Sequence, residues 1–384
     1  MNSKKYKLLL ACTHSLGAKF YEGQLRFMRE HGFDVYVVCA PGKEIETLCY
    51  NEGATFVPFP FKREIDLASD FKNLFTLLKL LKEINPDIVN TGTPKAGLLV
   101  TLAAKVAGIE PTIFTLRGLR SETLSGVKKI IVKGMEKLTC SLASIVVPIS
   151  PSLSFHAQKI GVLNRKKSHV LGLGSSNGVN IMKFSPSLSD NEKYQKRKEL
   201  NVSPDDFLIS YVGRINKDKG VVELFSVFKK LALNNQKVKL LIVGRFEDED
   251  AIPSTIKAEM EAHPSVILKG YTDDIKSIYE IIDVLVLYSK REGFGNILIE
   301  ASSMEVPVIA SNIPGCQDAV NHGVSGYLVN NTCELYERMF YYLNSRESAS
   351  KDGINGRKWV QRNFDSSIIW SKQLGLYKKL LCKK

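Results

Sequence analysis

"DVLVLYSKREGFGNILIEAS", residues 283–302, is a strand, a glycine turn and a helix in twenty positions. Asp283–Tyr288 is a short apolar run of strand length. Gly293 and Gly295 let the backbone turn tightly and approach a ligand. From Asn296 to Met304 the spacing of Ile297, Leu298 and Ala301 predicts a helix with one buried face. Two carboxylates frame the unit, Glu292 in the turn and Glu300 inside the helix. Acidic side chains are rarely held in a folded interior unless something there needs them.

The same unit recurs along the chain. Strands are predicted at 7–13, 34–40, 55–59, 87–91, 112–116 and 144–150. After a break they resume at 206–213, 238–244, 265–270, 283–288, 307–311 and 326–330. Helical patterns fall between them, near 20–31, 66–84, 94–107, 124–142 and 151–160. In the second half they fall near 192–200, 220–233, 251–261, 274–282, 296–304, 333–344 and 350–363. Near-continuous apolar strands alternating with helices are the signature of parallel sheets covered on both faces. The texture changes at "GLGSSNGVNIMKFSPSLSD", 172–190, which is rich in turn formers. An α/β chain of two domains results: residues 1–175, residues 176–364, and a final basic helix over 365–384 that packs back on the first. Two doubly wound sheets of this kind bind ligands at the carboxyl ends of their strands.

At 384 residues the chain is too long for one ordinary core. An apolar content of 44% and a charged content of 24% suit a soluble globular protein. No run reaches the length of a membrane span, and the N-terminus lacks the pattern of a signal peptide. Seven scattered cysteines include no C-x-x-C pair, which suggests reduced thiols and a cytoplasmic location. The net charge of +13 is unevenly spread. Residues 1–180 hold 24 Lys and Arg against 14 Asp and Glu, residues 181–364 hold 24 against 25, and residues 365–384 hold 5 against 1. The basic first half points to an anionic partner or to a solvated lysine-rich surface.

The second domain opens with "YVGRINKDKG", 211–220, in which Arg214 and Lys219 follow a strand and precede a helix. Two cations beside a helix N-terminus form an anion site. Glu292 and Glu300 can each take a vicinal diol through two carboxylate oxygens. The acidic run "EDED", 247–250, contains an Asp-x-Asp pattern and reads as a solvated loop. The six histidines have no metal spacing, so no metal is expected.

G-R-x(4)-K-G, then E-G-F-x(4)-L-x-E-A, then "PVIASNIPGCQDAV" resemble the retaining glycosyltransferases of family 4, over essentially the whole chain. "TPKAGLL" (93–99), "TLRGLRSET" (115–123) and "SSNGV" (175–179) resemble the branch that builds bacterial capsule, O-antigen and other surface polysaccharides. The resemblance implies a GT-B fold, two Rossmann-like domains facing across a cleft. It implies a nucleoside-diphosphate-sugar donor, UDP-linked, and a glycan acceptor linked to undecaprenyl diphosphate, with no cofactor. Arg214 and Lys219 would hold the donor diphosphate, Glu300 the ribose and Glu292 the transferred sugar. The amides of Gly293, Phe294, Gly295, Asn296, Ile297 and Leu298 would lie near sugar and phosphate, and Gly17 would let its loop sit over the diphosphate. Many relatives carry a histidine where this chain has Leu116-Arg117-Gly118. Arg117 takes that place, and a cation there suits a carboxylate, an altered sugar C6 or an acceptor phosphate.

"SGVKKIIVKGMEKLTCSLAS", 125–144, sets Lys128, Lys129, Lys133 and Lys137 among aliphatic residues. It reads either as a helix lying on an anionic membrane or as a core-facing helix with a solvated lysine side. The expectation is a cytoplasmic glycosyltransferase, peripheral on the inner face of the membrane. A nucleotide-sugar 2-epimerase of similar fold and a non-enzymatic nucleic-acid binder are the rivals. The epimerase should show more histidines and acids. The nucleic-acid binder should interleave basic and exposed aromatic residues, whereas the aromatics here fall on strand and core positions.

Overall fold

The structure, a computed structural model, describes residues 5–62 and 67–382. The chain divides into two compact units, Met1–Gly178 with Ser366–Lys384, and Val179–Asp365. The crossing at Gly178 lies three residues past the predicted one.

In unit 1 the strands are β1 (Tyr6–Ala11), β2 (Phe33–Cys39), β3 (Thr55–Pro58), β4 (Ile88–Thr91), β5 (Thr112–Leu116) and β6 (Ile145–Pro148). They form one parallel sheet in the order β3-β2-β1-β4-β5-β6. In unit 2 they are β7 (Phe207–Val212), β8 (Val238–Val243), β9 (Val266–Gly270), β10 (Val284–Leu287), β11 (Val308–Ser311) and β12 (Gly326–Val329). Their order is β12-β11-β10-β7-β8-β9, again parallel. Each sheet has the doubly wound order 3-2-1-4-5-6, which reverses direction between its first and fourth strands. In unit 1 that switch point lies between β1 and β4, and in unit 2 between β7 and β10.

The central strands are buried on both faces, which is why they read as apolar runs: Leu8–Leu10 and Val284–Leu287 have almost no exposure. Asp283, just before β10, accepts from the Leu208 amide (2.7 Å) and pairs with the buried Arg197 (3.2 Å). This pair anchors the helix Asp190–Glu199 at the start of β7.

All twelve strands fall within a residue or two of their predicted spans. The helices differ more. Lys43–Glu52 is a helix where none was predicted, because only Ile45, Leu48 and Cys49 mark its apolar side within a polar, glycine-bounded segment. The predicted helix 20–31 is two pieces, a 3-10 turn Ser15–Phe20 and the helix Gln24–Glu30. They are separated at Gly23, whose backbone is left-handed (φ 78°) and where a Cβ would meet the Trp370 ring at 2.4 Å. The helix predicted from residue 66 is seen as Leu67–Ile84, and residue 66 itself lies outside the described residues.

Ser366–Leu381 forms the last helix, and it belongs to unit 1. Tyr377 is fully buried and its hydroxyl accepts from Asn90 Nδ2 (2.7 Å) and Gln373 Nε2 (2.6 Å). Gln24 donates to Gln373 (2.7 Å), and Trp370 packs on Phe27 at 5.6 Å. A helix distant in sequence is thereby fixed through buried hydrogen bonds that would be expensive to leave unmade.

Candidate functional site

Three loops of unit 2 leave the carboxyl ends of neighbouring strands β7, β10 and β11. The β7 loop runs from Gly213 into the 3-10 turn Lys217–Lys219. The buried Asn216 side chain accepts from the Lys219 amide (3.1 Å) and so shapes the turn. Gly220 ends it in the left-handed region (φ 66°), and a Cβ there would lie 1.7 Å from the Tyr288 carbonyl oxygen. Only glycine lets the β7 and β10 loops come this close.

Asp218 fastens the two loops together. Its carbonyl accepts from the Lys290 amide (2.9 Å) and from Ser289 Oγ (3.3 Å). Its carboxylate accepts from Arg291 Nε at 2.6 Å. Sequence reading passed over Asp218, because one acid between two lysines looks like solvated surface. Asp250 was also underrated. It is exposed, as a solvated run predicts, yet its carboxylate accepts from the Asp218 amide (2.7 Å) and its carbonyl from the Lys217 amide (3.0 Å). Among the described residues no group of three or more His, Cys, Asp or Glu is placed to hold a metal ion.

With the loops fastened, Lys219 Nζ reaches Glu292 Oε1 at 2.5 Å, and both side chains are mostly buried. These two residues, 73 positions apart, meet where the sheet reverses. The β11 loop closes the third side. A Cβ at Gly315 (φ 87°) would lie 2.7 Å from the Glu292 carbonyl oxygen, so glycine is needed for this approach too. Burial pushes the neighbouring Cys316 thiol well up, the Glu292 carboxylate adds to this, and Lys219 pulls the other way. A buried cation and carboxylate in contact, ringed by backbone, can bind a polar ligand by exchanging their mutual bond for bonds to it.

Other predicted residues lie nearby with different surroundings. Arg214 is 52% exposed in its side chain and pairs at long range with Glu247 (3.7 Å). The hydroxyl of the buried Tyr211 donates to the Arg214 carbonyl at 2.5 Å, which fixes the backbone there. Glu300 is half-buried in the helix Asn296–Ser303 and accepts from Tyr279 OH at 3.1 Å. Burial, and then the Glu300 carboxylate, hold the Tyr279 phenol well above its ordinary pKa, so it stays a donor.

Two amides of the predicted row have partners within the turn itself. The Asn296 amide donates to the Phe294 carbonyl (2.8 Å) and the Leu298 amide to that of Gly295 (2.9 Å), so both are used within the turn. Phe294 is buried against Phe364, with ring centroids 5.4 Å apart. A Cβ at Gly295 would meet Leu298 Cδ1 at 2.6 Å, so this glycine also serves packing. Gly293 follows Glu292 directly in the turn, and Ile297 is the second residue of the helix Asn296–Ser303.

In unit 1, Gly17 lies in the 3-10 turn after β1 and is buried. A Cβ there would meet Cys12 Sγ at 3.0 Å, so its smallness is used against the strand end. Arg117 follows β5, donates through Nη1 to the Gly92 carbonyl (3.0 Å) and covers the Phe20 ring at 4.3 Å.

Residues 192–359 match the family described as "Glycosyl transferases group 1", and residues 8–150 match "Glycosyl transferase 4-like". The chain is 37% identical over 382 residues to the capsular polysaccharide biosynthesis glycosyltransferase CapM of Staphylococcus aureus, covering 98% of each chain. It is 29% identical to an Escherichia coli UDP-Gal:alpha-D-GlcNAc-diphosphoundecaprenol alpha-1,3-galactosyltransferase, covering 77% of this chain and 76% of that one. Its fold matches a glycosyltransferase from Rickettsia africae with a TM-score of 0.81 at 21% identity, over 99% of both chains. It also matches Anabaena HepE in complex with UDP-glucose with a TM-score of 0.81 at 18% identity, over 97% of this chain and 100% of that one. This is the GT-B fold class. The chain belongs to the group 1 glycosyltransferases and is an enzyme of the transferase class.

Proposed function

We propose that this glycosyltransferase moves a sugar from a UDP-linked donor to a lipid-linked glycan acceptor in surface polysaccharide synthesis, with retention of anomeric configuration. One observation carries the donor side: the 2.5 Å contact of Lys219 with Glu292 at the switch point of unit 2. A cation beside a carboxylate serves the two ends of a sugar diphosphate. Lys219, with Arg214 able to swing in, takes phosphate oxygens, while Glu292 accepts from sugar hydroxyls and Glu300 from the ribose. The bond from sugar C1 to the phosphate oxygen breaks and a bond from C1 to the acceptor oxygen forms on the same face. The acceptor proton passes to the departing phosphate. Charge grows on that phosphate as the bond breaks, and waiting cations stabilise it where it grows. No step calls for a metal or a cofactor.

The acceptor side rests on the CapM and galactosyltransferase relatives and on the helix Gly126–Leu142 of unit 1. Its inner side is Val132, Glu136, Thr139 and Cys140. Val127, Ile130, Ile131 and Leu138 all point out, the first two 71% and 72% exposed. They fall at i, i+3, i+4 and i+11, one stripe of a helix, with Lys128 on one flank and Lys133 and Lys137 on the other. The aliphatic side therefore does not face the core. An outward apolar stripe edged by lysines suits a helix lying in an anionic leaflet. No helix among the described residues is long and apolar enough to cross a membrane. This reading makes the enzyme peripheral on the cytoplasmic face.

The test is release of UDP from UDP-glucose, UDP-galactose and UDP-N-acetylglucosamine in the presence of lipid-linked acceptor from membrane extract. A donor should release UDP only with extract present, and K219A should lower that release sharply. No acceptor-dependent release from any UDP donor would refute the reading.

A further inference from the structure

In unit 1 the last helix and the segment after β6 enclose a groove away from the loops that follow β1, β4 and β5. Ser168 pairs with Val146, and the His169 amide donates to the Val146 carbonyl (2.9 Å), so this segment lies along the edge of β6. It forms one wall, and the helix Ser366–Leu381 forms the other. The free space between them is about 260 Å³. That is just under the roughly 300–1,000 Å³ of small-ligand pockets and many times the room one water needs.

Lys372, Gly375, Leu376 and Lys379 line the groove at i, i+3, i+4 and i+7, one side of a helix. Leu376 is buried and forms an apolar floor with Leu171. Lys372, Lys379 and His169 stand exposed along the rim. Among the described residues neither ammonium has a hydrogen-bond or ion-pair partner, and no acid lines the groove. Gly375 opens the space. It lies inside the helix, where glycine is a poor helix former, and a Cβ there would meet nothing within 4 Å. No packing contact needs it to be small, so what the missing side chain supplies is room in the groove. On the facing wall Gly172 has a left-handed backbone (φ 59°), and a Cβ there would strike the Lys372 ammonium, which sets that charge against the wall. Residues 365–384 hold 5 lysines against 1 acid, and two of the five face this space.

We propose that this groove is a second ligand site that binds a phosphate ester, with the charged oxygens between Lys372 and Lys379 and the short organic part on Leu376 and Leu171. Lysine ammoniums are mobile point charges that take phosphate oxygens. A walled space lined by one sign of charge draws an anion and gives a neutral sugar nothing comparable. An anionic lipid headgroup and a soluble glycerol or sugar phosphate share this chemistry. The site stands on unit 1 alone and is independent of the donor and acceptor assignments.

The experiment uses the full chain, the double variant K372Q/K379Q, and G375L, which fills the groove without changing its charge. Three probes are titrated at matched ionic strength: glycerol 1-phosphate, monomeric dihexanoyl phosphatidylglycerol and neutral glycerol. Calorimetry should show wild type binding at least one phosphate probe and not glycerol. Each variant should weaken that binding at least tenfold. The tighter of the two phosphate probes identifies the source, a soluble phosphate or a lipid headgroup. G375L should melt no lower than wild type, because leucine favours a helix and its side chain enters empty space. A clearly lower melting temperature would mean that Gly375 serves packing, and would count against the site. If wild type binds neither phosphate probe, or if K372Q/K379Q binds as tightly as wild type, the proposal is overturned. Unchanged binding by G375L overturns it too, because the attraction would then be that of two exposed lysines alone. UDP release in the transfer assay does not depend on this groove, so the two readings fail separately.

Discussion

Lys219 and Glu292 lie 2.5 Å apart with side chains only 15% and 17% exposed, although they leave different strands. Each is the partner that makes burial of the other tolerable. Removing one therefore strands the other, and a donor entering the site must take over both.

Replacing Lys219 with Ala should lower kcat/KM by roughly 10²–10³, the scale for losing a charge-stabilising donor in the transition state. Glu292→Gln should also be impaired, and the double variant should be less than additive, because the two residues act as a unit. Steady-state kinetics of the three variants decide this. Independent, additive losses would mean that the pair is structural only.

Asp250→Ala should slow turnover by a route that no metal repairs. Its carboxylate caps the Asp218 amide at 2.7 Å, and a lost cap is worth about 1 kcal/mol. The assay compares wild type and variant with EDTA and with added manganese. Turnover of the wild type should survive EDTA. A strict manganese requirement that Asp248→Asn or Asp250→Asn removes would show that the acidic run is a metal site after all.

Glu300→Gln should weaken donor binding while leaving the melting temperature within a few degrees of wild type. Tyr279→Phe, which removes the 3.1 Å hydrogen bond to Glu300, should do the same to a smaller extent. Calorimetry with UDP measures both. Unchanged affinity in Glu300→Gln would take this carboxylate out of the ribose site.

Gly220→Ala should destabilise unit 2 by about 1–3 kcal/mol or more, since its Cβ would overlap the Tyr288 carbonyl at 1.7 Å on a left-handed backbone. Denaturant titration reads this directly. A neutral result would mean that the β7 and β10 loops part easily, contrary to the bonds through Asp218.

Changing Lys128, Lys129, Lys133 and Lys137 together to Gln should cut binding to anionic vesicles, most clearly at low salt. Each lysine is worth about 1 kcal/mol near an anionic leaflet, and the attraction is screened within a Debye length of about 10 Å at 0.1 M salt. Ile130→Ser with Ile131→Ser should weaken binding at all salt concentrations, because it removes the apolar stripe. Sedimentation with vesicles separates the two effects. Equal binding by all forms would leave the exposed stripe without a membrane role.

The sequence by itself determined the twelve strands, the two sheets and the short stretches that hold Arg214, Lys219, Glu292 and Glu300. These are local matters: a parallel strand covered on both faces must be apolar throughout, and a tight turn beside a ligand needs glycine. Tertiary structure alone decided which of these residues meet. The Lys219–Glu292 contact depends on β7 and β10 being neighbours at the point where strand order reverses, which no local pattern records. Asp250 looked like a solvated acid and Asp218 stood out in no pattern, because their partners are amides and side chains from other segments, and an amide leaves no mark in a sequence. The helix 126–142 carried its aliphatic and lysine residues openly, yet periodicity does not say which side faces inward. Buried Glu136, accepting from Ser121 Oγ at 2.7 Å, turns the polar side in and leaves the aliphatic stripe outside. Arg117 was visible as an unexpected cation, and its hydrogen bond to the Gly92 carbonyl became visible only once β4 and β5 lay side by side.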